Sequence, residues 1–226
     1  MKKILLIGVL VFLGASLAYC QHFWFPYTWH QKMTVELDSN GKIITVSSVV
    51  EMKVEGIPEA LQFRTARKLG MRGEAVLVEL PQKRYLFALL TYDVFLTGKV
   101  FHDLVGGVVS QPENGWAQAI QKVREIRELD PKDYPLLVTF TDITDPTTVK
   151  QVNPTNLAAT FGPGVSLKRI TLEITDEPVT EGKIEHVLGW LDDPTVMKNP
   201  GWKSLPYDAR VAINGLFKGK VIVSEK

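Results

Sequence analysis

Apolar and polar residues alternate from Lys32 onward: Met33, Val35 and Leu37 fall on one side of an extended chain, and Thr34, Glu36 and Asp38 on the other. A period of two is the signature of a half-buried strand. Ser39-Asn40-Gly41-Lys42 interrupts it, and Asn-Gly between alternating runs predicts a type I′ hairpin turn, because both residues tolerate positive φ. The return strand is expected from about Ile43 to Val54, with Val46, Ser48, Val50, Met52 and Val54 opposite Thr45, Ser47, Glu51 and Lys53. Gly56, Pro58, Gly70 and Gly73 read as a linker. Glu74 to Leu80 and Arg84 to Thr91 form a second hairpin around Pro81-Gln82-Lys83. Its run Tyr85-Leu86-Phe87-Ala88-Leu89-Leu90 is apolar on both faces, as a central strand requires.

The middle of the chain reads as helical. Asp93 to Leu104 is expected as one helix ending at Gly106-Gly107. Gly115 to Leu129 is expected as another, with Trp116, Ile120, Val123 and Ile126 on one face. Leu136 to Phe140 is a short buried strand, Asn153-Pro154 starts a small helix that Gly162 stops, and Val165 to Thr175 is a strand. Ile184, Val187, Leu188 and Leu191 line a further helix. Asn214-Gly215 either turns a hairpin into Lys220 to Val223 or ends a helix begun near Ser204. The expected class is α+β: a mainly antiparallel sheet built from the N-terminal hairpins, with several packed helices, after an N-terminal hydrophobic helix.

That first helix is residues 1–20, Met-Lys-Lys followed by an uncharged apolar run from Ile4 to Cys20. Two lysines ahead of such a run hold that end in the cytoplasm, so the segment is a signal peptide or a membrane anchor. Three fates are open. Ser16 and Ala18 suit cleavage after Ala18; Cys20 is a lipidation candidate, although Tyr19 before it is large; and an uncleaved helix meets the lower end of the spanning range of roughly 17 to 25 residues. Residues 21–31 hold Phe23, Trp24, Phe25, Tyr27 and Trp29, a composition suited to the headgroup layer. The alternative is that these rings belong to a first strand packed on the domain. Residues 32–226 are then a single extracytoplasmic domain.

Composition narrows the class. The chain of 226 residues has a net charge of +1 and one cysteine. Residues 1–20 carry two lysines, so the remaining domain stands at −1 and has no cysteine. A near-neutral domain lacks the basic excess that phosphate binding needs, which argues against a nucleic-acid partner. With no disulfide, stability must come from the apolar core.

Chemistry is sparse. Gly-x-Ser-x-Gly and phosphate-loop patterns do not occur, and no two of the four histidines stand four apart. The acidic loop Thr139-Phe140-Thr141-Asp142-Ile143-Thr144-Asp145-Pro146 is the leading polar candidate: Asp142 and Asp145 either hold a cation and act as acid and base, or cap turns. His102 beside Asp103, and Glu173 near Asp176 and Glu177, could join them only if folding converged them. Arg64, Arg67, Lys68 and Arg72 form the densest basic group, a solvated face or a contact for anionic lipid.

Phe25-Pro26-Tyr27-x-Trp29-His30-Gln31-Lys32-x-Thr34-Val35-Glu36, Ser47-Ser48-Val49, Gly73-Glu74-Ala75-Val76 and Leu172-Glu173-Ile174-Thr175-Asp176-Glu177-Pro178-Val179-Thr180 give the chain its resemblance to uncharacterised proteobacterial envelope proteins with one N-terminal hydrophobic segment. The resemblance covers most of the chain and implies an envelope location; it carries no activity or ligand. The expectation is a binding or structural module of the bacterial envelope, periplasmic side, with the membrane and an envelope protein as partners and no cofactor. The alternative is a metal-dependent or acid/base hydrolase centred on Asp142 and Asp145.

Overall fold

The computed structural model describes residues 27–55, 68–90, 95–106, 116–192, 215–216 and 223–224. The first alternating run forms β1 (Tyr27–Ser39), which turns at Asn40 (φ 56°) and Gly41 (φ 83°) into β2 (Lys42–Glu55). Asp38 Oδ1 accepts the Gly41 N–H at 2.8 Å, closing the turn. The supposed linker contains a strand, β3 (Lys68–Arg72), paired with the end of β2. The second hairpin is β4 (Val76–Leu80) and β5 (Arg84–Ala88). Then come β6 (Ile126–Glu128), β7 (Leu137–Phe140), β8 (Val149–Gln151), β9 (Val165–Thr175) and β10 (Val223–Ser224). One sheet has the order β10-β3-β2-β1-β9-β6 and the other β4-β5-β7-β8, and every pairing is antiparallel.

The expected α+β class with several packed helices is therefore corrected to a two-sheet antiparallel β architecture. The α-helices among the described residues are short: α1 (Phe95–Val100), α2 (Trp116–Ile120), α3 (Ala158–Phe161) and α4 (Lys183–Val187). The run expected as one helix from Gly115 to Leu129 breaks after Ile120. Arg124 donates to the carbonyls of Gln121 and Val123 there. Ile126 leaves the apolar stripe to pair opposite Glu173 on β9 and is 67% exposed. A free sheet edge outcompetes further helical turns for these backbone groups. Residues 1–20, expected to form an N-terminal hydrophobic helix, lie outside the described residues; within the described residues, no helix is long and apolar enough to cross a membrane.

The core lies between the sheets. Trp29, Val35 and Leu37 of β1, Val50, Met52 and Val54 of β2, and Ile170, Leu172 and Ile174 of β9 meet Val76, Val78 and Leu80 of β4 and Leu86 and Ala88 of β5. Each Val, Leu, Ile or Met among them contributes roughly 1.5–3 kcal/mol when fully buried. β5 is central, as its two apolar faces require: Phe87 and Leu89 point away from the main core into a second one with Val138, Ile184, Leu188 and Leu216. The chain crosses from the first sheet to the second at Gly73 (φ 142°), where a Cβ would stand 3.0 Å from Val49 O and 3.1 Å from Val50 Cα.

Of the aromatic residues expected in the headgroup layer, Trp29 is a buried residue of β1, as the first-strand alternative has it. It is 4% exposed and packs edge-on against Trp116 at 5.7 Å, and Tyr27 rests half-buried on the same core. Both are strand residues because β1 begins five positions earlier than the alternation from Lys32 suggests. Phe23, Trp24, Phe25 and Cys20 lie outside the described residues.

Candidate functional site

Asp142 and Asp145 sit in the turn between β7 and β8, and each closes its own loop. Asp142 Oδ1 accepts the Thr144 N–H at 2.9 Å and the Thr144 hydroxyl at 2.7 Å, which hold its carboxyl below the usual aspartate range. Asp145 Oδ1 accepts the same pair from Thr147 at 2.8 and 2.7 Å, capping a 3₁₀ turn over Pro146–Thr148. These are side-chain-to-backbone turns of the kind that Asp-x-Thr sequences favour.

The other candidates do not join them. His102 is exposed in the turn after α1, its Nδ1 3.0 Å from Lys99 O. Its neighbour Asp103 is engaged by Arg127 of β6, which binds both carboxylate oxygens, pairs with Glu125 at 2.9 Å and lies over the Phe101 ring at 5.4 Å. Arg127 holds the Asp103 carboxyl down at about 2. Glu173 stands on the outward face of β9, 3.2 Å from Lys32 of β1. Asp142 and Asp145 share one turn, joined through the Asp145 N–H to the Asp142 carbonyl at 3.1 Å, while His102 and Glu173 stand in two other places. Among the described residues no group of three or more His, Cys, Asp or Glu is arranged to hold a metal.

The Arg127 latch gives a direct test. In an Arg127→Ala chain the Asp103 carboxyl titrates near the ordinary 3.8 instead of about 2 by carbon NMR. Asp103 has a depressed native value, so its contribution to stability is present above pH 3.8 and is lost as pH falls toward 2. That acid-limb loss disappears in the variant.

Two polar arrangements were not legible from sequence motifs. The first is Glu74, 1% exposed between the sheets. Its Oε2 accepts the N–H groups of Lys183 and Ile184 at 3.0 and 3.2 Å, at the start of α4, and its backbone carbonyl accepts the Ser48 hydroxyl at 2.6 Å. Burial pushes its carboxyl above the usual glutamate value, outweighing those N–H groups. The void beside it, bounded by Gln31, Ser48, Met71 and Glu74, is about 20 Å³, room for a single water and no ligand. A lone glutamate between two strands has no periodicity or spacing that announces it.

The second is a strap, residues 176–182, that leaves β9 and crosses the outward face of the first sheet. Glu177 O meets His30 Nδ1 at 2.7 Å and the Glu177 carboxylate meets Lys32 at 2.6 Å. Thr180 exchanges two bonds with Val49, N–H to carbonyl and N–H to hydroxyl, both at 2.9 Å. Glu181 pairs with Arg72 of β3 at 3.1 Å. Pairing to Glu177 and Glu173 raises the Lys32 ammonium above its usual value. The strap buries Val49, an outward position, to 3% exposure.

Comparison with known proteins finds no family model, curated protein or solved structure that matches this chain.

Proposed function

We propose that this chain is a non-enzymatic module of the bacterial envelope, carried by its N-terminal hydrophobic segment to the outer side of the cytoplasmic membrane, where it binds another envelope component. The observation that supports it best is the state of the two leading catalytic candidates: Asp142 and Asp145 are each occupied by a threonine hydroxyl and N–H of their own turn. A carboxylate that must leave its turn to meet a substrate is poorly placed as acid or base. The N-terminal Lys-Lys and apolar run support the location.

In-cell crosslinking of the full chain is expected to recover a reproducible envelope protein, and Asp142→Asn with Asp145→Asn to leave that recovery unchanged. Turnover of a hydrolase substrate panel by purified protein, abolished by the same pair of substitutions, would reverse the assignment. Alkaline phosphatase fused at the C-terminus is expected to be active; a stable but inactive fusion would overturn the location.

A further inference from the structure

The sequence has three Asn-Gly pairs, at 40–41, 114–115 and 214–215, and the first lies wholly within the described residues. Asparagine before glycine carries a reaction of its own, because the glycine nitrogen, unshielded by any Cβ, can attack the asparagine side-chain carbonyl. The N–Cγ bond forms as the Cγ–Nδ2 bond breaks, the proton given up by the glycine N–H leaves on ammonia, and a five-membered succinimide remains. Water then opens the ring at one of its two carbonyls. The product is aspartate, or isoaspartate with the main chain rerouted through Cβ. No group is oxidised or reduced, and water is the co-reactant.

In the folded chain both reacting groups are committed elsewhere. Asn40 (φ 56°) and Gly41 (φ 83°) hold the left-handed conformation of the β1–β2 turn. The ring would contain the Asn40 Cα–C bond, and closing it nearly eclipses Cβ with the Gly41 nitrogen about that bond, which takes Asn40 out of the left-handed well. The Gly41 N–H donates to Asp38 Oδ1 at 2.8 Å. That carboxylate also pairs with Lys168 at 3.2 Å, and the Gly41 N–H is the main reason it stays below the usual aspartate range. The Asn40 side chain lies over Gly164, the residue before β9: a Cβ built there would overlap Asn40 Oδ1 and stand 2.9 Å from Cγ. The Asn40 N–H donates to Gly164 O at 2.8 Å. Gly164 takes φ 86°, so a residue with a side chain is strained in this seat as well as crowded.

We propose that Asn40 is a site of spontaneous deamidation, held closed by Asp38 on the Gly41 N–H and by Gly164 against the Asn40 side chain. Asp38 comes with the β1–β2 hairpin itself, whereas Gly164 arrives with β9, far later in the sequence. The turn is sealed only in a chain whose larger sheet is complete. A chain held without β9 loses the amide, and isoaspartate then adds a backbone atom to a two-residue turn whose register sets every pair from Ser39↔Lys42 to Tyr27↔Val54. It also puts a second carboxylate beside Asp38. The reaction marks chains that have stayed unpaired and keeps them from regaining the hairpin.

The test is peptide mapping of the full chain after incubation in mild detergent at mildly alkaline pH, with amide loss and isoaspartate scored separately at Asn40, Asn114 and Asn214. A parallel sample in denaturing guanidinium chloride gives the unprotected rate at each. Asn40 is expected to react alongside the other two in guanidinium, and at least about tenfold more slowly in the folded chain, the factor set by one hydrogen bond to a charged acceptor. Asp38→Ala and Gly164→Ala, each shown by circular dichroism to be folded, are expected to raise the folded-chain rate at Asn40 about tenfold and to leave the guanidinium rate unchanged. If Gly164→Ala does not fold, Asp38→Ala decides alone. Equal rates at Asn40 in the folded chain and in guanidinium overturn the proposal, and so does protection that survives Asp38→Ala. An Asn40 that stays intact in guanidinium while Asn114 and Asn214 react overturns it as well.

Discussion

A chain carrying Trp29→Ala is expected to lose about 3–5 kcal/mol of unfolding free energy, the cost of deleting a buried aromatic and leaving its cavity. Urea denaturation in mild detergent, followed by circular dichroism, measures it. Trp29 is 4% exposed and supplies the edge-on partner of Trp116, so the loss falls on the central strand of the larger sheet. Trp29→Phe separates packing from hydrogen bonding. The indole Nε1 has no hydrogen-bond partner among the described residues, so the smaller ring loses packing alone and is expected to cost less than alanine. An unchanged urea midpoint for Trp29→Ala would return this residue to the headgroup layer and break the account of the core.

The second large effect is at Glu74. Glu74→Ala removes the acceptor for two N–H groups at the start of α4 and opens a cavity between the sheets; the expected cost is about 2–4 kcal/mol. Glu74→Gln keeps an acceptor oxygen and carries no charge. The native carboxyl lies above its unfolded value of 4.5 because burial disfavours the ion. Its contribution to stability is therefore present below pH 4.5 and is lost as pH rises through the raised native value. The stability of Glu74→Gln relative to the native chain should rise over the same interval. A difference independent of pH, by urea denaturation from pH 4 to 8, would show that Glu74 titrates normally.

The hairpins were legible because each rests on a local rule. Asn40-Gly41 could take positive φ, and Val35 and Leu37 alternate with Glu36 and Asp38, so turn and register agree. Tyr85 to Leu90 was legible as a central strand because a segment buried on two sides must be apolar on two sides. The helices were less so. Trp116, Ile120 and Val123 keep helical spacing whether or not the helix continues, and what stops it is an edge of β9 more than forty residues later. β3 was hidden by Gly70 and Gly73, which read as loop residues although the strand has β2 to pair with. At Asp142 and Asp145 the sequence offered both a site and a pair of turns, and Thr144 and Thr147, two residues after each, were the signal that decided between them.

The larger sheet also fixes when the chain can fold. β1 has β2 on one side and β9 on the other, and the Arg169 to Glu36 bond between β1 and β9 spans 133 residues. A two-stranded hairpin alone is marginal in water, and pairings this distant form slowly, in milliseconds to seconds. Until Val165–Thr175 has emerged, β1 offers thirteen residues of bare edge. Any chain cut short before that point is a template for aggregation.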